Sequence, residues 1–406
     1  MARRSRRRGS RLARTEDLLP PDWDTAELEI ETRGMVFLIH TRVGVFSWER
    51  LDFGARILLD VMEIHPGERV LDLGCGYGVL GIVAARLAGP TGHVDLVDCN
   101  VVATRLAEEN LAINGIANAR VLISDCAQAV ADQRYDVVLS NLPVNAGKQV
   151  VAQFLVDAHR LLRPGGRFYF AGPKAGGIQT WIKRAANLFG HAETLEIEKG
   201  YRAALALRGE GPPAEPDENY FRYRPITVEI GDQKLELISK PGIFSWDRLD
   251  EGTRLLLEHF QVEPRDVVLD VGCGYGVIGI VAAMRAPQGR VYMVDSNIIA
   301  VEAARRSVAH NQLSNVEVIL GDGPAAIRDV LCDVVATNPP FHAGRDIDYS
   351  IAHRFIQQAR PRLKRGGRFY LVCNQFIPYE RIIEREFGRC EVIARTRGFK
   401  LLLARG

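Results

Sequence analysis

A 41-residue segment occurs twice in this chain, and that repeat limits what the chain can fold into more than any single motif. Val45–Ala85 aligns without a gap on Ile243–Ala283, and 25 of the 41 positions are identical. A looser match continues through LVDCN at Leu96 and MVDSN at Met293, VVLSNLPV at Val137 and VVATNPPF at Val334, then GGRFYF at Gly165 and GGRFYL at Gly366. Repeats this long mark a duplicated domain, since solenoid units repeat every 20–50 residues. The chain has 406 residues, 47% apolar and 25% charged, so each half can bury a core of its own. The segment RGEGPPAEPDE from Arg208 to Glu218 is rich in Pro, Gly and acid and reads as the join. The expected layout is a basic arm over 1–20, a first domain over 21–208, a linker over 209–219 and a second domain over 220–406.

Within each copy, short β-branched apolar runs alternate with longer helical stretches, the pattern of a parallel sheet covered on both faces. In the second copy, strands are expected at Val267–Val271, Arg290–Val294, Val316–Leu320, Asp333–Thr337 and Arg368–Cys373, with a helix over Gly276–Met284. Each copy is therefore read as a doubly wound, Rossmann-like α/β domain. Ile226–Ile238 alternates around Gly231-Asp232 as a hairpin does, and Ala26–Ile39 is its counterpart.

A glycine-rich turn follows the first strand of each copy: Asp72-Leu73-Gly74-Cys75-Gly76-Tyr77-Gly78 and Asp270-Val271-Gly272-Cys273-Gly274-Tyr275-Gly276. Glycine permits the tight turn and lets backbone approach a ligand at the mouth of the sheet. The spacings Gly76-x-Gly78-x-x-Gly81 and Gly274-x-Gly276-x-x-Gly279 also satisfy the dinucleotide fingerprint, so an NAD-dependent dehydrogenase is an alternative. Asp98 and Asp295, ending the second strands, suit the ribose of either cofactor. The sequel discriminates. A further acid follows the third strand (Asp125, Asp322), and an Asn-x-Pro element follows the fourth (Asn141-Leu142-Pro143, Asn338-Pro339-Pro340-Phe341), for which a dehydrogenase has no use.

At these residues the chain resembles the class I S-adenosylmethionine-dependent methyltransferases, which implies a seven-stranded sheet in each copy. The resemblance implies that Asp270, Gly272 and Gly274 surround the methionine end of the cofactor, with Asp295 at the ribose and Asp322 at the adenine, and that Cys273, Gly276, Ser296 and Asn338 also belong to the cofactor site. By the same positions Asp72, Gly74, Gly76, Asp98, Asp125 and Asn141 form a second cofactor site. Asn338-Pro339-Pro340-Phe341 is similar to the N-P-P-[FYW] box of enzymes that methylate a planar exocyclic or amide nitrogen. Its lone pair is delocalised, so the nitrogen must be held in a reactive geometry. The Asn338 side-chain oxygen and the Pro339 carbonyl suit its two N–H groups, while Phe341 suits stacking on the base.

A closer resemblance spans nearly the whole chain, to the bacterial small-subunit rRNA guanine-N2 methyltransferases, which fuse two such domains. It rests on Pro241-Gly242-Ile243-Phe244-Ser245, Leu249-Asp250, Gly252-Thr253, Asn338 to Gly344, and Asn374-Gln375-Phe376-Ile377-Pro378-Tyr379. The resemblance implies methyl transfer to guanine N2 of rRNA, with a catalytic C-terminal domain and a degenerate N-terminal one. This chain departs from it by keeping an intact GCGYG loop in the first copy, where only the box has decayed, to Asn141-Leu142-Pro143-Val144. Protein glutamine or DNA adenine as substrate, and a non-catalytic RNA-binding scaffold, are further alternatives.

Charge and cysteine content fit this reading. The net charge of +2 conceals seven arginines and no acid in Met1–Arg14, without which the chain sits at about −5. Such an arm suits phosphate neutralisation on RNA, with a disordered solubilising tail or a targeting peptide the other readings. Seven scattered cysteines without a C-x-x-C pair argue against a disulfide framework or zinc site and for a cytoplasmic setting. No apolar run is long enough to cross a bilayer. Duplication supplies an internal pseudo-dimer, so a monomer is expected. His342 is read mainly as polar surface, with contact to the target or a phosphate the other reading; Trp48 and Trp246 pack on the core or cover the cofactor mouth; and the run Arg360, Arg362, Lys364, Arg365 and Arg368 suits a helix end, with RNA contact the other reading.

Overall fold

The computed structural model describes residues 23–231, 233–340, 342–343, 346–347 and 349–406, with side chains left aside at 342, 343, 346 and 347. The expected arginine arm, Phe341, the His342 side chain and Gly344 lie outside that set. The chain divides between Asp217 and Glu218 into two units. Residues of the expected linker attach to the first unit: Ala214 N–H donates to His159 Nδ1 at 3.0 Å and Asp217 N–H to Gln153 Oε1 at 3.3 Å.

Each unit is built on a seven-stranded sheet. In the first unit the strands in chain order are Arg69–Leu73, His93–Asp98, Ala119–Ile123, Tyr135–Asn141, Leu162–Pro173, Gly190–Glu198 and Tyr201–Arg208. In the second they are Val267–Val271, Arg290–Asp295, Val316–Leu320, Cys332–Thr337, Leu363–Asn374, Glu391–Arg395 and Phe399–Arg405. Both sheets run 3-2-1-4-5-7-6, with strand seven antiparallel to its two neighbours. The order reverses between strands one and four, which opens a crevice beyond their carboxyl ends.

The helix after strand one, Val277–Arg285, is buried along Val277–Ala283 because it lies directly on the sheet. Gly279 allows that contact: a Cβ there would lie 2.5 Å from Met293 Cε. Strand five begins five residues earlier than its expected start at Arg368, at Leu363. The Lys-Arg-Gly-Gly stretch reads locally as a turn, yet pairing of Leu363 with Cys332 and reciprocal backbone bonds of Gly366 and Gly367 with Gly406 (2.8 Å each) hold it extended. Its cations find carboxylate partners: Lys364 Nζ sits 2.7 Å from Asp333 at the surface, and Arg368 pairs with the largely buried Asp266.

Antiparallel hairpins precede the sheets, Thr25–Thr32 with Met35–Arg42 and Arg224–Ile230 with Gln233–Ser239. Side-chain amides cover one hairpin edge in the first unit. Asn110, on helix Val101–Ile113, and Asn114, its C-cap, exchange hydrogen bonds of 2.7–3.1 Å with the backbone of His40 and Leu38. Every exposed strand edge needs such partners, or it becomes a template for association.

Candidate active site

Strand one of the second sheet ends in the glycine loop, and strand two supplies its anchors. The N–H groups of Gly272 and Cys273 both donate to the Val294 carbonyl, at 2.8 and 3.1 Å, which folds the loop back over the sheet. Gly274 adopts φ +57°, and a Cβ there would meet only Ile243 at 3.9 Å, so the loop presents an open face. Asp295 braces that face: one carboxylate oxygen accepts from Gly274 N–H and the other from Asn297 N–H, both at 2.9 Å. Each oxygen keeps a lone pair for a further donor.

Asp270 lies beneath the loop and is fully buried. One of its oxygens accepts from Gly279 N–H at 2.9 Å, while Oδ1 is buried without a hydrogen-bond partner. Burial, with the nearby Asp295 charge adding to it, pushes this carboxyl up to about 7. An orphaned acceptor beneath an open backbone loop fits a cofactor that brings a cation or donor to the spot. Burial pushes the Cys273 thiol well up, so it is no nucleophile.

Asn338 directly follows strand four. Thr337 Oγ1 donates to the Val271 carbonyl at 2.9 Å, clasping strand four to the glycine-loop strand. The Asn338 amide Nδ2 donates to Asp250 Oδ2 at 3.0 Å and to Thr253 Oγ1 at 2.8 Å. Pro339 is buried and Pro340 exposed. An open cavity of about 880 Å³ lies beside Asp250, lined also by Thr227, Phe244, Arg248, Arg254 and Phe399. Asp322 is ion-paired with Arg354 at 2.7 Å, and both side chains are largely buried.

The loop, the paired acids and the asparagine at the switch point thus converge on one crevice. The methyltransferase small domain family matches residues 37–204 and again 234–403. The chain belongs to that family. The ribosomal RNA small subunit methyltransferase C of Pseudomonas entomophila strain L48 is 34% identical over 275 residues, covering 68% of this chain and 80% of that protein. Its namesake in P. aeruginosa strain UCBPP-PA14 is 38% identical over 242 residues, covering 60% and 71%. The T. thermophilus 16S rRNA N2 G1207 methyltransferase in complex with AdoMet and guanosine is 28% identical, with a TM-score of 0.80 over 94% of this chain and 98% of that one.

The first methyltransferase domain repeats the cradle bond for bond. Gly76 N–H and Asn100 N–H both donate to Asp98 at 2.9 Å, Gly81 N–H donates to Asp72 Oδ2 at 2.8 Å, and Asp72 Oδ1 is again an orphan. Burial lifts Asp72 to about 7 as well. The substrate end differs. Asn141 Nδ2 donates to Asp52 Oδ2 at 2.7 Å, but Ala55 stands where the second domain has Thr253. Val144 packs on the backbone of Gly176, where an added Cβ would come within 2.7 Å of its Cγ2. Cys126 replaces Gly323 and takes φ +49°, a conformation that glycine adopts more readily.

The sequence reading missed Asp250, Thr253 and Arg354 as members of the site. Asp250 and Thr253 both stood in the motif that carries the family resemblance and in the duplicated segment, Asp250 at an identical position and Thr253 opposite Ala55. Only the fold shows that they meet a residue more than 80 positions away.

Proposed function

We propose that the second domain transfers a methyl group from S-adenosylmethionine to the exocyclic N2 of a guanine in small-subunit rRNA. The observation that carries this reading is Asn338 directly after strand four, whose last residue, Thr337, is clasped to the glycine-loop strand at the point where strand order reverses. The relatives that match across most of the chain are named as a ribosomal RNA small subunit methyltransferase and, for the T. thermophilus protein, a 16S rRNA N2 G1207 methyltransferase.

Asp270, Gly272, Cys273, Gly274 and Gly276 hold the methionine end of the cofactor, Asp295 and Ser296 the ribose, and Asp322 the adenine. S-adenosylmethionine supplies a methyl group on a sulfonium, already a good leaving group. The protein's own task is placement. Asn338 Oδ1 and the Pro339 carbonyl accept the two N–H groups of the guanine amine, Phe341 stacks on the ring, and Pro340 stiffens the turn. No strong base is needed, because the surplus proton leaves from the amine to solvent after transfer. A base in structured RNA reaches such a pocket only when splayed out of its stack.

The first domain serves as a cofactor-binding, weakly catalytic or non-catalytic companion, with a second cofactor at Asp72, Gly74, Gly76, Asp98, Asp125 and Asn141. The repeated cradle supports the binding half of that statement, and Val144 in place of an aromatic residue supports the other. The arm over 1–20 adds phosphate contacts, the protein works in the cytoplasm where ribosomal subunits mature, and it acts as a monomer. No helix among the described residues is long and apolar enough to cross a membrane. Mass-spectrometric mapping of rRNA nucleosides from cells with and without the gene tests the reading. Loss of one N2-methylguanosine is expected, and an unchanged rRNA profile refutes it.

A further inference from the structure

The Asn338 amide has two N–H groups, and both are engaged, one on Asp250 Oδ2 at 3.0 Å and one on Thr253 Oγ1 at 2.8 Å. The rest of the array fixes their direction. Thr253 N–H and its hydroxyl both donate to the same Asp250 oxygen, at 2.9 and 3.3 Å, so the hydroxyl hydrogen is committed there and its lone pair faces Asn338. A flipped amide would set Asn338 Oδ1 against a carboxylate and forfeit both bonds. Nitrogen must point at the pair, which leaves oxygen as the atom available for the crevice. Asn338 Oδ1 accepts no hydrogen bond among the described residues.

The first domain shows what happens without the threonine hydroxyl. Asn141 has one partner there, Asp52, and its Oδ1 lies 2.3 Å from where a Cβ on Gly54 would sit, turned onto the helix start. At Gly252 the nearest atoms are those of Phe399 and Asp250 instead.

We infer that Asp250 and Thr253 are positioning residues that lock the Asn338 amide with its oxygen outward, and thereby restrict the acceptor to groups that donate N–H. The inference rests on the methyl transfer assigned above to the second domain. A keto oxygen at the same place would meet oxygen and be repelled, so the pair selects an amine over a carbonyl edge.

The full-length protein tests this with Thr253→Val, which removes the hydroxyl at constant shape, Thr253→Ser, which restores it, and Asp250→Asn, which still caps the helix. Methylation of small-subunit rRNA is read as kcat and KM separately, beside thermal melting. Thr253→Val and Asp250→Asn are expected to lower kcat by about ten- to a hundredfold, the cost of a misplaced group, with KM for S-adenosylmethionine within about twofold. Thr253→Ser should recover most of that loss. Wild-type kcat in Thr253→Val, a Thr253→Ser enzyme as slow as Thr253→Val, or a deficit confined to KM would overturn the inference. Asn338→Ala separates the two levels: if it alone is inactive the clamp fails, and if it is fully active the site assignment fails first.

Discussion

The two methyltransferase domains keep the same glycine-loop cradle and differ at the Asn-x-Pro box. In the cradle every bond runs to backbone N–H groups: Asp98 and Asp295 to glycine and asparagine amides, Asp72 and Asp270 to the third glycine of the motif. Such bonds persist while the turn persists, and drift of neighbouring side chains leaves them intact. The box depends on individual side chains. Replacing Thr253 by Ala55 and Phe341 by Val144 at matching positions removes a hydroxyl and an aromatic ring, with no change in the order of the strands.

The sharpest test of that asymmetry is Asn338→Ala, expected to cut methyl transfer to small-subunit rRNA by about 100-fold or more, as loss of a preorganised polar group does. Asn141→Ala should cost less than tenfold in the same assay with labelled S-adenosylmethionine. The reverse ranking would exchange the roles of the two domains. Next in size is cofactor stoichiometry by calorimetry. The intact chain should bind two equivalents of S-adenosylmethionine, and Asp98→Ala and Asp295→Ala should each remove one. A single equivalent, abolished by Asp295→Ala alone, would mean that the first cradle is intact in outline only.

A smaller effect probes the altered box itself. Gly176→Ala drives a methyl into Val144 and should destabilise the first unit by about 1–3 kcal/mol, seen as a lower melting temperature. An unshifted melt would show that Val144 is free to move and that the box is less closed than its packing suggests.

The smallest effect concerns what the cradles share. Asp72 and Asp270 are both raised to about 7, so the native state holds their protons where the unfolded chain has released them. The stability these groups contribute is full below about pH 4 and is lost as pH rises through 7. Asp270→Asn, neutral throughout, should melt about 3 °C above wild type at pH 8, with the gap closing towards pH 5. Asp72→Asn should behave alike, and a gap that does not vary with pH in either variant would break the equivalence of the two cradles.

Much of this was legible in one dimension. The doubled GCGYG loop, the acid after strand two and the Asn-x-Pro after strand four lie in short segments whose spacing reflects the strand–turn–helix unit, so local sequence carries them. Strand five was cut short because Lys364-Arg365-Gly366-Gly367 has turn composition, and only pairing with strand four and with the chain's last residue extends it. The partners of Asp322 and Asn338 were not legible either, since Arg354 and the Asp250–Thr253 pair reach them by sheet closure and helix packing.

The sequence by itself determined that there are two α/β domains, each with a nucleotide-type loop, and that their boxes differ, because periodicity and turn chemistry act over a few residues. The tertiary structure alone decided which way an amide faces and whether an oxygen is sequestered or available. Those outcomes hang on hydrogen bonds between residues 88 and 85 positions apart, whose meeting depends on the whole sheet being assembled.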